Sequence, residues 1–293
     1  MLTHKQKLKY LADSAARYFT TRDCPSCGCS SSVLVDRKYL VTRLFRCGEC
    51  QMMFRHPVDS IQENRDFYQE DYFENDGITT FSPESDEVEN LINDGLKGTS
   101  RDASRLLTAF TALVGSIEGA TILDYGASWG YMSFQFSKAK MDVESYEISK
   151  PRAGFGNQSL KLDIRTSESD VRFNNSIFFS SHVIEHVPSP AKMLEYASQH
   201  ITQNGFIFTL CPNGSDAFRK RMPKGFSLGW GKVHPNYLTE TYFRQYFRDC
   251  PYFIASSPDG WSQLALWDQK SQLVSDDVSG NELLIVSCPH QKS

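Results

Sequence analysis

Apolar positions along the chain change their period near residue 119. Before it, two stretches carry helical spacing. Leu8, Leu11, Ala15, Ala16 and Phe19 lie on one side of a short amphipathic helix within residues 1–20, and Ala103, Leu106, Leu107, Phe110 and Val114 do the same between Arg101 and Val114. Between them, residues 24–57 bear cysteines and two β-like pieces, Ser32–Val35 and Arg43–Phe45. Residues 60–100 are polar and acidic, with an aromatic cluster at Phe67, Tyr68, Tyr72 and Phe73, and read as linker and irregular helix.

From Gly119 onward, short apolar runs alternate with helical stretches. Strands are expected at Ala120–Tyr125, Val143–Glu147, Leu160–Ile164, Ser176–Ser181, Gly205–Cys211, Tyr252–Ala255 and Glu282–Ser287. Helices are expected at Trp129–Lys138, Pro190–His200 and Thr239–Phe247, the last with Thr239 as its N-cap. This alternation indicates an α/β domain with a mostly parallel sheet covered on both faces. The parts are an N-terminal helix with a cysteine module (1–58), a helical linker or lid (59–115) and the α/β domain (116–293). Tyr68 and Tyr72 are candidates for a lid, or for a hydrophobic staple onto the sheet.

Between the first strand and helix of that domain lies Ile122-Leu123-Asp124-Tyr125-Gly126-Ala127-Ser128-Trp129-Gly130. Small residues there let a ligand across the strand ends approach the backbone, where a Cβ would obstruct it. Alone the turn is equally a tight connection. Glu147, at the end of the next strand and 17 residues after Gly130, changes that reading, because an acid there can accept from both ribose hydroxyls of a nucleoside.

With ILDYGASWGYMSFQFSK, VESYEIS and IFFSSHVIEHVPSPAKMLEYASQHITQNGFIFTLCPN, residues 100–290 resemble a class I S-adenosylmethionine-dependent methyltransferase. The resemblance implies a Rossmann-like, seven-stranded, mostly parallel sheet with helices on both faces. It places the methionine part of S-adenosylmethionine on Asp124, Gly126, Ala127, Ser128 and Gly130, the ribose on Glu147, and the sulfonium and amino group beside Ser181 and His182. Ser128 stands where the family has its middle glycine. The family's adenine-side acid has no clear match, since Glu168 and Asp170 both lie in a polar stretch.

Methyl transfer chiefly requires alignment of the nucleophile, and a base of near-neutral pKa helps where the acceptor carries a proton. Glu185-His186 follows the fourth strand, and His186 is either that base or a packed structural residue. His234, in Trp230-Gly-Lys-Val-His-Pro-Asn-Tyr237, lies in a loop at the end of the sheet that bears substrate in such folds. It is a second catalytic candidate or a surface histidine. His182 and Tyr237 are weaker ones.

Cys24-Pro-Ser-Cys27 and Cys47-Gly-Glu-Cys50, with 19 residues between the pairs, fit a four-thiolate zinc ribbon. Four protein ligands leave no open position, so this zinc is expected to be structural. Cys29 is a possible surrogate ligand. Some bacterial sugar methyltransferases carry a similar four-cysteine module before a domain with a Glu-His pair. Their aromatic residue two before the Glu is Val183 here, and their downstream domain has no counterpart before Ser293.

Composition adds exclusions. A net charge of −4 offers no electrostatic case for nucleic acid or an anionic membrane. No run approaches the ~20 apolar residues of a membrane span, and neither a signal core nor a disulfide pattern is evident, so the expected compartment is the cytoplasm. The expected partner is a small polar molecule, such as a nucleotide sugar or a glycan or secondary-metabolite precursor. Two alternatives stay open: an RNA or protein methyltransferase docking through a ribbon that bears Arg37, Lys38, Arg43, Arg46 and Arg55, and a cofactor-binding protein without chemistry.

Overall fold

The structure is a computed structural model, described for residues 4–67, 69, 83, 85–257 and 259–291. The aromatic pair Tyr68 and Tyr72 lies outside the described residues. The chain forms two compact units, each built from separated segments. Unit one comprises Arg65–Ser180 with Gln199–Phe208. Unit two comprises the residues up to Asn64, then Ser181–Ser198, and the chain from Thr209 onward.

Unit one is the first half of the α/β sheet. Helices α3 (Ser85–Asp94) and α4 (Ser104–Val114) precede β4 (Thr121–Tyr125), α5 (Tyr131–Lys138), β5 (Asp142–Tyr146), α6 (Lys150–Ser159), β6 (Ile164–Arg165) and most of β7 (Asn175–Ser181). The start of β8 (Ile201–Pro212) completes it, in the order β8-β7-β4-β5-β6. β4 runs parallel to both β5 and β7, and β5 parallel to β6. The pairing of Tyr125 with Tyr146 brings the ends of β4 and β5 level. Phe110, Phe136, Phe179 and Phe208 pack as a cluster of rings with centroids 5.1–6.0 Å apart, which seats α4 and α5 on the sheet.

The expected third strand is the largest local departure. In place of an extended Leu160–Ile164, Leu160 ends α6 and only Ile164–Arg165 pairs with β5. α6 escapes the hydrophobic pattern because Gly154 and Gly156 dilute its apolar face. Gly156 has a packing reason. A Cβ there would stand 2.5 Å from the Trp129 carbonyl oxygen and 2.6 Å from Ile164 Cδ1.

Unit two contains two sheet regions. The first is antiparallel: β1 (Ser32–Lys38), β2 (Thr42–Cys47), β3 (Met53–His56) and β9 (Asn236–Tyr237), in that order. Thus the cysteine-bearing hairpins are completed by a strand from far along the chain. The second has the order β11-β10-β12-β8, from β10 (Tyr252–Ser256), β11 (Gln272–Val274), β12 (Glu282–Ser287) and the end of β8. β10 is antiparallel to β12 and parallel to β11. β11 makes the α/β sheet eight-stranded instead of seven; at three half-exposed residues it has too little pattern to read. Helices α1 (His4–Ala16), α2 (Ile61–Asp66), α7 (Pro190–His200), α8 (Asp216–Arg221), α9 (Pro223–Leu228) and α10 (Glu240–Tyr246), with a 3-10 helix at Asp259–Leu266, lie wholly or mostly in the same unit. Thr239 caps α10 as expected, its hydroxyl accepting from the Tyr242 N–H at 3.1 Å. Among the described residues no helix is long and apolar enough to cross a membrane.

Helix propensity alone favours Gly156→Ala by about 1 kcal/mol. The rigid Trp129 carbonyl reverses the sign. The substitution is expected to destabilise the protein by about 1 kcal/mol or more in urea unfolding; a stabilised variant would contradict this packing.

Candidate functional site

The bend after β4 is built from left-handed residues. Gly126, Ser128 and Gly130 have φ of 87°, 55° and 85°. Glycine adopts this region without cost. Ser128 does so under a modest strain, and four hydrogen bonds at the bend offset it. Its N–H donates to Glu147 Oε2 at 2.8 Å, its hydroxyl accepts from Arg152 Nη1 at 3.1 Å, and the Gly126 and Ala127 N–H groups both donate to the Tyr146 carbonyl at 2.8 and 2.9 Å. The other Glu147 oxygen accepts from the Ser149 N–H at 2.8 Å. One buried carboxylate therefore ties the bend after β4 to the turn after β5. Burial raises its pKa, opposed by the Ser149 and Ser128 amides and by Arg152.

Asp124 is buried and turned inward. It accepts from the Ser133 hydroxyl at 2.6 Å, which in turn accepts from Ser145 Oγ at 2.8 Å, and burial pushes its pKa up to about 7. Trp129 packs with Leu91, Leu96 and Leu160, so α3 closes on the bend. Two groups in this unit escaped the sequence reading. Gln69 donates to the Ile148 carbonyl at 2.5 Å and accepts from the Lys150 N–H at 3.4 Å. The Tyr125 hydroxyl donates to Glu168, which stands in a 3-10 turn (Glu168–Asp170) after β6. That bond brings an acid from the third strand's loop to the end of β4.

In unit two, buried Glu185 and His186 gather with half-buried His234, with candidate ligand atoms within 4.8 Å of one another. The His186 and His234 rings lie 4.7 Å apart. Each imidazole is oriented through Nδ1: that of His186 lies 2.7 Å from the Val233 carbonyl, and that of His234 2.9 Å from the Gly229 carbonyl. His182, at φ 54°, directs its ring between Glu282, 2.7 Å from Nε2, and Glu185, 3.4 Å from Nδ1. Burial disfavours its charged form, but the two carboxylates raise its pKa to about 10. Burial likewise works against Glu185, yet His186 and His182 hold its carboxyl at about 2. Burial takes His186 down to about 4, which keeps it neutral at pH 7. Ser181 follows Ser180 at the end of β7 and is half-buried. Glu282 gave no sequence signal beyond opening a strand.

The backbone of this cluster is clamped by asparagines. The Asn236 N–H donates to the Glu185 carbonyl at 3.1 Å and its amide to Val187 O at 2.7 Å; Asn64 donates to His186 O at 2.9 Å. Asn236 is itself in β9, paired with Phe54 of β3, and the Arg55 N–H donates to Pro235 O at 2.7 Å. The cysteine-bearing sheet therefore braces the loop that carries His234. Beneath it, fully buried Arg55 pairs with Asp59 at 2.7 Å, and Lys232 reaches the same carboxylate at 2.9 Å.

Cys24, Cys27, Cys47 and Cys50 converge as expected, with Sγ–Sγ separations of 3.6 Å (24–50) and 3.5 Å (27–47). Four sulfurs about 2.3 Å from one tetrahedral ion are ~3.8 Å apart, so the cluster can hold zinc. Such crowding suits a cation: the hydrogen bond from Cys50 draws Cys24 down to about 5, whereas burial pushes Cys47 up to about 12. Cys29 stays out of the cluster; its carbonyl accepts from the Cys24 N–H at 2.9 Å and its sulfur faces Ser31.

No family profile and no curated protein sequence matches the chain. Solved structures with a similar course include the plantazolicin methyltransferase BamL bound to a desmethyl-plantazolicin analogue and S-adenosylhomocysteine (11% identity, 78% of this chain and 97% of that one, TM-score 0.49). Another is the magnesium protoporphyrin IX methyltransferase ChlM of Synechocystis PCC 6803 with bound S-adenosylmethionine (13%, 79% and 98%, 0.46). A third is a TehB-like methyltransferase of Corynebacterium glutamicum (14%, 72% and 100%, 0.43).

Two measurements check this construction. Metal analysis of untagged protein should find one zinc per chain that survives dialysis. Cys47→Ser should lose it and melt at a lower temperature, since such a site contributes of the order of 10 kcal/mol of binding energy; metal-free wild-type protein of equal stability would contradict the reading. Asp59→Asn, which strands the buried Arg55, should cost about 3–5 kcal/mol. Burial raises the Asp59 pKa, but Arg55 and Lys232 bring it below the usual range. The pair's contribution is thus complete above about pH 4 and falls away as pH drops through the folded-state value. A variant with wild-type stability at pH 7 would show the ion pair to be unimportant.

Proposed function

We propose that the chain is an enzyme that transfers a methyl group from S-adenosylmethionine to a small polar acceptor. One observation carries this reading: the left-handed bend Gly126–Gly130 at the end of β4, pinned by the Glu147 carboxylate at the end of the neighbouring parallel strand. Such a bend presents backbone to a nucleoside at strand ends, and the carboxylate oxygens keep lone pairs for ribose hydroxyls. Asp124, Ala127 and Ser128 form its wall on the methionine side, and Ser181 and His182 are assigned to the sulfonium side. Glu185, His186 and His234 handle the acceptor. The zinc in Cys24, Cys27, Cys47 and Cys50 is structural, since its sulfurs fill all four positions.

The acceptor class that best suits this arrangement is a nucleotide-linked sugar, or a glycan or secondary-metabolite precursor. Its hydroxyl-rich surface matches the acid and imidazole groups of unit two. Docking of nucleic acid through the ribbon is disfavoured by the use that four of its five cations already have. Arg46 pairs with Asp216 at 2.6 Å, Arg55 is buried on Asp59, Arg43 lies 3.8 Å over the Tyr18 ring, and Lys38 lies 4.4 Å over Trp230. Counterion release by phosphate binding needs free surface cations.

Calorimetry with S-adenosylhomocysteine tests the reading. Glu147→Ala removes a charged acceptor and is expected to weaken binding by about tenfold or more. Equal affinity in the variant, or none in the wild type, would overturn it. Transfer of labelled methyl to a panel of nucleotide sugars, set against RNA and protein, identifies the acceptor.

A further inference from the structure

Two imidazoles and a carboxylate converge in unit two in a way that proton transfer alone does not require. Both rings present Nδ1 to a main-chain carbonyl, Val233 for His186 and Gly229 for His234. A neutral ring so held carries its proton on Nδ1 and its lone pair on Nε2. This is the orientation that backbone carbonyls impose on metal-ligating histidines. The His186 Nε2 faces Glu185 Oε1 at 3.7 Å. A lone pair turned toward an anionic oxygen at that distance repels it unless a cation stands between them.

The carboxylate is the second observation. The Glu185 side chain is 1% exposed, and among the described residues neither oxygen finds a hydrogen bond of regular geometry. Leaving a buried carboxylate so poorly satisfied is costly. His182 approaches Oε1 at 3.4 Å and is itself held by Glu282, so it acts as an outer partner that orients the acid. The backbone of 185–187 is fixed by Asn64 and Asn236. The three candidate ligand atoms lie within 4.8 Å of one another, and donors about 2.1 Å from a shared ion are at most ~4.2 Å apart. A small inward rotation of the side chains closes that gap.

We infer that Glu185, His186 and His234 form a second metal site, distinct from the cysteine cluster, that takes a divalent first-row cation such as Mn2+, Fe2+ or Co2+. Two nitrogens and one oxygen suit these ions, whereas the four thiolates select zinc. Three protein ligands leave positions open, as in catalytic and not structural sites. On the proposed methyltransferase reading, this names the acceptor atom as oxygen. A hydroxyl bound to the cation loses its proton to water more readily. Its oxygen takes the methyl carbon while the C–S bond breaks and its electron pair stays on sulfur.

The test is a Mn2+ titration of the protein as isolated, with the ribbon metal in place, followed by the paramagnetic resonance of free Mn2+. Mn2+ competes poorly for thiolates, so it reports the imidazole-carboxylate site. Wild-type protein is expected to bind one Mn2+ per chain. Glu185→Gln and His234→Ala should each weaken binding by tenfold or more while keeping the wild-type circular dichroism spectrum and a cooperative melt. No Mn2+ bound by the wild type, or equal binding by folded His234→Ala, would overturn the proposal. Retained binding of S-adenosylhomocysteine in those cases would leave the methyltransferase reading standing; lost binding to that nucleoside with Mn2+ still bound would do the reverse.

Discussion

Glu147 imposes the constraint on which unit one is organised. Its carboxylate is buried, so its oxygens must be satisfied inside the protein. They accept from the Ser128 and Ser149 amides, one in the bend after β4 and one in the turn after β5. That requirement fixes the bend in a left-handed course and makes Ser128 tolerable at a position where glycine would be unstrained. The bend in turn sets the start of α5, the burial of Trp129 and the close approach of Gly156. A residue read from sequence as a ligand-binding acid is thus also the structural tie of its own loop.

In unit two the organising element is the antiparallel sheet of the cysteine module. Its last strand, β9, is the piece of chain that follows His234, and its third strand donates to Pro235. A zinc at the cysteines would therefore stiffen β2 and β3, and through them the loop that carries His234. This gives a metal at the cysteines a physical route to the Glu185, His186 and His234 cluster. The buried Arg55–Asp59 pair with Lys232 braces the same loop from below.

The elements with a strong period were legible. α7 and β12 have the expected bounds, and β4, β5, β7 and β10 lie within a residue or two of them. The four-cysteine spacing and the small-residue bend pointed to real geometric clusters, because each forces several named groups together within a short span. What escaped notice lacked local signal. β9 is two residues long and owes its existence to its partner β3. α6 is glycine-rich, and β11 is short and half-exposed. The outer groups of the Glu-His cluster, Asn64, Asn236 and Glu282, come from three distant segments, and no spacing rule joins them. The bond from the Tyr125 hydroxyl to Glu168 likewise joins two segments that no spacing rule connects.

Binding of a nucleoside on the pinned bend of unit one can be seen in a crystal structure of the chain with S-adenosylhomocysteine. Density is expected along Gly126–Gly130, with the ribose hydroxyls within hydrogen-bonding distance of the Glu147 carboxylate. Ligand density elsewhere, with that carboxylate holding only its two backbone amides, would contradict it.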